Sequence, residues 1–257
     1  MMDEYFLDIP RVLARGALKK AGLPASIEVG IPASVVKEVR AQIEFDSNIT
    51  VVDAVLATTH LVAIYEDGIV DICEIAGFTH ITPEGAYEPM VFDTGYAYGG
   101  YGFGWCEHWQ DDALCQNETV ELPSRTVLGV HYSRTALVST LADIQTPVGS
   151  REGYGKRIED FTLGSDAKGR YGKEEDYWVD VKRTILLRML ETPYLTKADM
   201  VLSTGDMVED ADFRRVLEGG LREHLGWLPP IYDDDALVVS AKGAAELRRR
   251  GKAPWGK

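Results

Sequence analysis

The stretch Asp233-Asp234-Asp235-Ala236-Leu237-Val238-Val239-Ser240-Ala241-Lys242-Gly243-Ala244-Ala245-Glu246-Leu247 decides how this chain is read. Three acidic residues open a run rich in small and apolar side chains. The pattern predicts a final helix from about Asp234 to Arg250. The basic run Arg248-Arg249-Arg250 suits a helix C-terminus, where the backbone dipole is negative, and Gly251 follows as a stop. Gly243, in the middle of this helix, reads as a packing glycine.

Working upstream, Glu209 to Leu225 is expected as a helix with Phe213, Val216, Leu217 and Leu221 on one face. Ala198 to Leu202 is expected as a buried strand that ends in Ser203-Thr204-Gly205-Asp206. Asp176 to Leu190 reads as an amphipathic helix carrying Trp178, Val181, Ile185, Leu186 and Met189. Arg157 to Leu163 is a third strand. Val127 to Tyr132 and Thr135 to Ile144 read as a hairpin turning at Ser133-Arg134. Residues 66–126 are crowded with glycine, aromatic and acidic residues, and strands with irregular loops are expected there. Residues 10–21 form a helix stopped by Gly22-Leu23-Pro24. Ile27 to Pro32 is expected as a short strand, followed by a helix from Val35 to about Ile43 with Ser34 as its N-cap. Ile49 to Ile64 is expected as a strand and then a buried helix. No internal repeat or long linker is visible.

The composition bounds the function. With 257 residues, 45% hydrophobic and 26% charged, the chain is long enough for one large domain or two lobes. A formal net charge of -14 repels phosphate backbones and anionic membranes, so nucleic acid and membranes are not expected partners. No apolar run reaches the ~18–20 residues that span a bilayer. The acidic start Met1-Met2-Asp3-Glu4 does not read as a targeting peptide. Three cysteines, an odd number, argue against a secreted disulfide framework, and a cytoplasmic address is expected.

The order of these pieces resembles one lobe of the superfamily that joins heat-shock chaperone ATPases, actin and sugar kinases, and is most similar to fungal chaperone-like proteins. In that superfamily an acidic turn opens the closing helix, whose glycine lets it pack beneath the nucleotide site. Residues 127–144 resemble the second phosphate hairpin. Leu163-Gly164-Ser165-Asp166 resembles the Leu-Gly-Gly-Asp that follows it, and Val201 to Asp206 resembles the turn that meets the adenosine. Residues 27–65 resemble the second half of lobe one, and the Gly-rich stretch Gly102 to His108 with Cys115 is similar to one preceding the hairpin in the fungal proteins. The resemblance implies an α/β, ribonuclease-H-like, actin-type ATPase fold in reduced form, with a mixed sheet and helices on both faces. Residues 1–126 would be a partial lobe one with an insertion at 66–126, and residues 127–257 would be lobe two.

The resemblance also implies a nucleotide site at Ser133, Arg134, Thr135, Gly205, Asp206 and Gly243, served by ATP or ADP with Mg²⁺. Its departures imply that this site is degenerate. The first phosphate loop is missing, because a helix stands before residue 27. At the second, His131-Tyr132-Ser133-Arg134-Thr135 replaces the usual Asp-x-Gly, which removes a carboxylate able to hold Mg²⁺ through water. Weak or absent ATP hydrolysis follows, with a role in binding or regulation. A lobe one lacking its first sheet leaves an apolar face, so a homodimer or partner protein is expected.

Other readings stay open at this point. Ser203 to Asp206 also fits a cap for the following helix. An enzyme unrelated to ATP would draw on Asp93, His108, Asp111 and Asp112 in the 66–126 segment. Phe92-Asp93-Thr94-Gly95 has the form of an aspartic-protease loop, but Tyr96 replaces the usual small residue and no acidic partner is seen. Cys106, His108 and Cys115, with Cys73, His80 or His60, have irregular spacing for zinc and read better as core cysteines and a surface histidine.

Overall fold

The computed structural model describes residues 2–59, 66–81, 92–148, 157–191 and 197–250. The chain divides into two compact units, Met1–Leu56 with His60–Thr82 and Ala57–Thr59 with Pro83–Lys257. The boundary therefore falls near residue 82, upstream of the division expected at 126/127.

The smaller unit is mainly helical: α1 (Met2–Lys20), α2 (Ile27–Ser47) and α3 (Glu66–Ala76), with a two-residue parallel pair of strands, β1 (Asp53–Ala54) and β2 (Thr79–His80). The strand expected at Ile27 to Pro32 is the start of α2 instead. The alternation of Ile27, Val29 and Ile31 fits a strand over five residues, but Ser26 caps a helix there by accepting a hydrogen bond from Val29 N at 3.3 Å. Val29 and Ala33, four apart, are buried, while Ile27 and Ile31 face outward. Ser34 is not an N-cap. It lies inside the helix and donates to the Gly30 carbonyl. Of the strand and helix expected over Ile49 to Ile64, the structure has only β1 and an isolated bridge at Thr58, and residues 60–64 lie outside the described residues.

Helices α1 and α3 are joined by a ladder of opposite charges. Arg11 meets Asp67 at 3.0 Å, Arg15 and Lys19 both meet Asp71 at 2.5 Å, and Lys19 reaches Glu74 at 2.7 Å. The basic residues recur every fourth position, which puts them on one helix face. Asp71 is only 1% exposed. A buried carboxylate is tolerated when it is paired and hydrogen-bonded, as here.

The larger unit is a mixed α/β layer structure. Its elements are α4 (Asp93–Gly100), α5 (Asp112–Glu121), β3 (Arg125–Tyr132), β4 (Leu137–Ile144), β5 (Arg157–Asp160), a 3₁₀ turn at Ser165–Arg170, α6 (Glu174–Glu191), β6 (Met200–Thr204), α7 (Ala211–Leu225), β7 (Ile231–Tyr232) and α8 (Val239–Arg250). The sheet order is β5-β4-β3-β6-β7. Only β4 runs against the others, since β3/β4 and β4/β5 are antiparallel whereas β3/β6 and β6/β7 are parallel. The hairpin and the strands at 157 and 200 thus stand where the sequence predicts them, and β7 is an addition.

Alternation along the strands divides two cores. Leu128, Val130 and Tyr132 of β3 join α6 and α7 residues such as Tyr177, Val181, Phe213 and Leu217. Val127 of β3 and Met200 and Leu202 of β6 join Ala97 and Tyr98 of α4 and Val239 of α8. Helices therefore cover both faces of the sheet. A fully buried side chain of this size contributes about 1.5–3 kcal/mol, so the two cores hold the sheet between its helix layers.

The 66–126 segment corrects the expectation of strands and irregular loops, because α3, α4 and α5 lie in it. The glycine-rich run 95–100 is helical despite glycine's cost of roughly 0.5–1 kcal/mol against alanine. The offset is close backbone packing. A Cβ at Gly100 would lie 2.0 Å from the Val239 carbonyl oxygen, and one at Gly243 would lie 1.9 Å from that of Tyr96. The final helix begins at Val239, not near Asp234. Residues 234–238 form turns, and Asp235, at φ 57, accepts hydrogen bonds from Val238 N and Val239 N.

Candidate functional site

The parallel strands β3 and β6 end side by side, with His131 in register with Thr204. In open α/β sheets the region beyond such carboxyl ends is where ligands gather. Three turns meet there. The β3–β4 turn is closed by a hydrogen bond from Ser133 N to Ala136 O (3.0 Å), and Ser165 N and Asp166 N donate to the carbonyls of Ser133 and Arg134, both at 3.0 Å. Gly164 makes this approach possible, because a Cβ there would be 2.4 Å from the Arg134 carbonyl oxygen. The third turn follows β6. Gly205 adopts φ 106, a left-handed conformation that only glycine enters without strain, and a Cβ there would stand 2.2 Å from the Tyr132 carbonyl oxygen.

Of the residues expected to form a nucleotide site, Ser133, Arg134, Gly205 and Asp206 are therefore neighbours. Arg134 N donates to Asp206 Oδ1 at 3.2 Å, and its guanidinium pairs with Asp166 at 3.3 Å. Thr135 is exposed at the hairpin tip. Gly243 lies one turn beyond Ser240, in the helix packed on α4, and its close neighbour is the Tyr96 backbone. Residues 203–206 do not cap the next helix. Asp210 does so, accepting from Asp212 N (2.9 Å) and Phe213 N (3.0 Å).

A partly buried polar chain lies at the centre. Asp93, the first residue of α4, accepts hydrogen bonds from Ser240 Oγ on Oδ1 and from Thr204 Oγ1 (2.7 Å) on Oδ2. His131 Nδ1 lies 3.1 Å from Thr204 Oγ1 and 3.8 Å from Asp93 Oδ2, so its hydrogen bond is to the threonine. Burial pushes the His131 imidazole below its ordinary pKa of 6.5, and the nearby Asp93 and Asp206 only partly oppose this. The sequence named Asp93 and His131 separately. Their meeting depends on α4 packing on the sheet, where Thr94 lies against Gly129 of β3, which a glycine-rich stretch does not announce.

The remaining candidates disperse. His108 is exposed and pairs with Glu118, which raises its pKa, and Asp111 caps α5. Asp112 is exposed in the first turn of α5. Asp93 begins a helix rather than a protease loop. Cys106 and Cys115 are joined by a disulfide, which corrects the reading of separate core cysteines and removes both as zinc thiolates. The odd count is accounted for by Cys73, whose thiol burial pushes up to about 12. His60 lies outside the described residues. Among the described residues no group of three or more His, Cys, Asp or Glu side chains is arranged to hold a metal ion, and no helix is long and apolar enough to cross a membrane.

Asp93, Asp166 and Asp206, the carboxylates at the strand ends, do not form a cluster arranged around a metal among the described residues. Asp93 is committed to two hydroxyls, Asp166 to Arg134, and Asp206 to a backbone N–H. Compared with known proteins, the chain matches no protein-family model and no curated protein.

Proposed function

We propose that this chain is a reduced chaperone/actin-type ATPase-fold protein whose degenerate site binds a nucleotide or nucleoside and acts in binding or regulation rather than turnover. The observation that carries this reading is the convergence of the 133–136, 163–166 and 204–207 turns at the ends of β3 and β6, with α8 seated beside them. The order of three strands, helix, strand, helix and last helix supports a ribonuclease-H-like lobe, as does a sheet in which only the hairpin's second strand is reversed. The commitments of Asp93, Asp166 and Asp206 support the loss of Mg²⁺-dependent hydrolysis. ATP turnover assayed in Mg²⁺ is expected to be weak or absent. Mg²⁺-dependent turnover that Arg134→Ala abolishes would overturn this.

The reading includes a second copy or a partner protein as the form in which the chain works. Support comes from α2, where Ile27, Ile31, Val35 and Val39 are more than half exposed in four-residue steps. Light scattering is expected to give a mass above that of one chain at micromolar concentration. A strict monomer contradicts self-association.

The enzyme reading of the 66–126 segment retains one residue, Asp93, and that residue belongs to the same site.

A further inference from the structure

We infer that His131 is a binding residue of this site, held as the Nδ1–H tautomer by the Ser240–Asp93–Thr204 chain, and that its Nε2 accepts a hydrogen bond from a neutral, hydroxyl-bearing ligand of the nucleoside class. The inference rests on the nucleotide-site reading and specifies which part of such a ligand is gripped.

Proton accounting fixes the tautomer. A carboxylate only accepts, so both hydroxyls that approach Asp93 must donate to it. Thr204 has a single hydroxyl proton and spends it on Asp93 at 2.7 Å. Its oxygen, 3.1 Å from His131 Nδ1, therefore accepts from an Nδ1–H. In the neutral ring the lone pair then sits on Nε2. That atom has no partner among the described residues, and the side chain is 26% exposed. The depressed pKa keeps the ring neutral at pH 7, in keeping with this geometry.

The surroundings select the ligand. A phosphate seat needs free N–H donors and positive charge. Here five of the turn donors are spent within the protein: Ser133 N on Ala136 O, Ser165 N on Ser133 O, Asp166 N on Arg134 O, Gly205 N on Ala236 O and Met207 N on Tyr132 O. Arg134 gives its N–H to Asp206 and its guanidinium to Asp166. Asp93 and Asp206 both act on His131 as negative charges. A bare anion meets repulsion, whereas a hydroxyl meets an oriented acceptor. The seat that grips phosphate by resemblance is, by its chemistry, a seat for hydroxyl groups.

The test is calorimetric titration of the full chain with adenosine and, separately, with inorganic phosphate, together with ¹⁵N spectra of the histidine rings in the free protein. Adenosine is expected to bind, phosphate not to compete with it, and His131→Gln to weaken adenosine by about tenfold, the scale of one hydrogen bond to a buried polar group. The free protein is expected to show His131 protonated on Nδ1, with Thr204→Val shifting the ring toward a mixture of tautomers. The Nδ1 assignment in the unsubstituted chain holds even where a variant is poorly folded. Adenosine binding that His131→Gln leaves unchanged, phosphate competing with adenosine, or a ring protonated on Nε2 overturns the inference and leaves the nucleotide reading standing. Failure of adenosine, ADP and ATP alike overturns the nucleotide reading itself, and the ligand assigned here with it.

Discussion

Gly243 lies against the carbonyl oxygen of Tyr96 so closely that a Cβ would stand 1.9 Å from it, and Gly100 meets Val239 in the same way at 2.0 Å. Two helices share this seam, and the same pair carries Asp93 and Ser240 into the candidate site. Packing and site geometry are thus set by one contact. Gly243→Ala is expected to push α8 from α4 and to cost about 3 kcal/mol, the upper part of the range for overpacking. Trp105, Trp109, Trp178 and Trp227 lie in the larger unit and the sequence has no tryptophan before residue 105, so fluorescence-detected denaturation does not read the smaller unit. An unchanged midpoint would show that the two backbones are not in contact.

The Asp71 ladder is expected to dominate the smaller unit's response to acid. Burial raises the Asp71 carboxyl, but hydrogen bonds and charge from Arg15 and Lys19 outweigh it and hold the pKa below the ordinary carboxyl value of 3.8. The unfolded chain then binds the proton more readily. The contribution is complete above pH ~4 and is lost as pH falls through the folded value. Asp71→Asn is expected to cost about 2–3 kcal/mol near neutral pH, less than for a wholly buried pair because Arg15 and Lys19 reach water. Amide exchange in α1 and α3 measures this, and equal protection in wild type and variant at pH 7 contradicts it.

His131 gives the opposite kind of group with the same sign. Its folded pKa lies below 6.5, through burial first, against the pull of Asp93 on α4 and Asp206 after β6. Between the two values the unfolded state binds more protons, so stability is complete above pH ~6.5 and falls as pH drops through that window. Histidine ¹H–¹⁵N titration is expected to show a midpoint under 6.5 for His131 and over 6.5 for His108, which Glu118 raises. The reverse order would contradict the burial of His131.

Closing a short loop, the Cys106–Cys115 bond is expected to contribute roughly 2–4 kcal/mol. It also anchors the segment whose Cys106 carbonyl accepts from Arg250 Nη1 at 2.7 Å, at the far end of α8. A reducing agent is expected to lower the denaturation midpoint of the larger unit, and Cys106→Ser to lower it equally without further effect of the reductant. Cys73 is expected to resist alkylation in the native state, since its thiol is buried and titrates at about 12. An unchanged midpoint on reduction would show that the bond is not formed in solution, as the cytoplasmic expectation implies.

The legible parts of this fold are those where one period dominates. The hairpin, β6 and helices α6 and α7 show clean alternation or a clean 3.6-residue stripe, and they stand where the sequence predicts them. Ile27 to Pro32 misleads because five residues satisfy both periods and Ser26 decides between them. The α4 run misleads because glycine argues against a helix until a second glycine-bearing helix is laid against it. Ser133, Arg134, Gly205 and Asp206 were readable as neighbours through the motif order. The Asp93–Thr204–His131 chain was not, because its members come from three elements far apart in sequence and no local spacing joins them.

The most direct test of the nucleotide-site reading is the thermal stability of the larger unit, followed by tryptophan fluorescence, with adenosine or ADP added in the presence and absence of Mg²⁺. A ligand at 100 times its Kd stabilises the native state by about 2.7 kcal/mol. The expected result is a rise in the midpoint with either ligand, of the same size with and without Mg²⁺. No rise with any nucleoside or nucleotide would contradict the reading, and a rise that requires Mg²⁺ would contradict the loss of its metal chemistry.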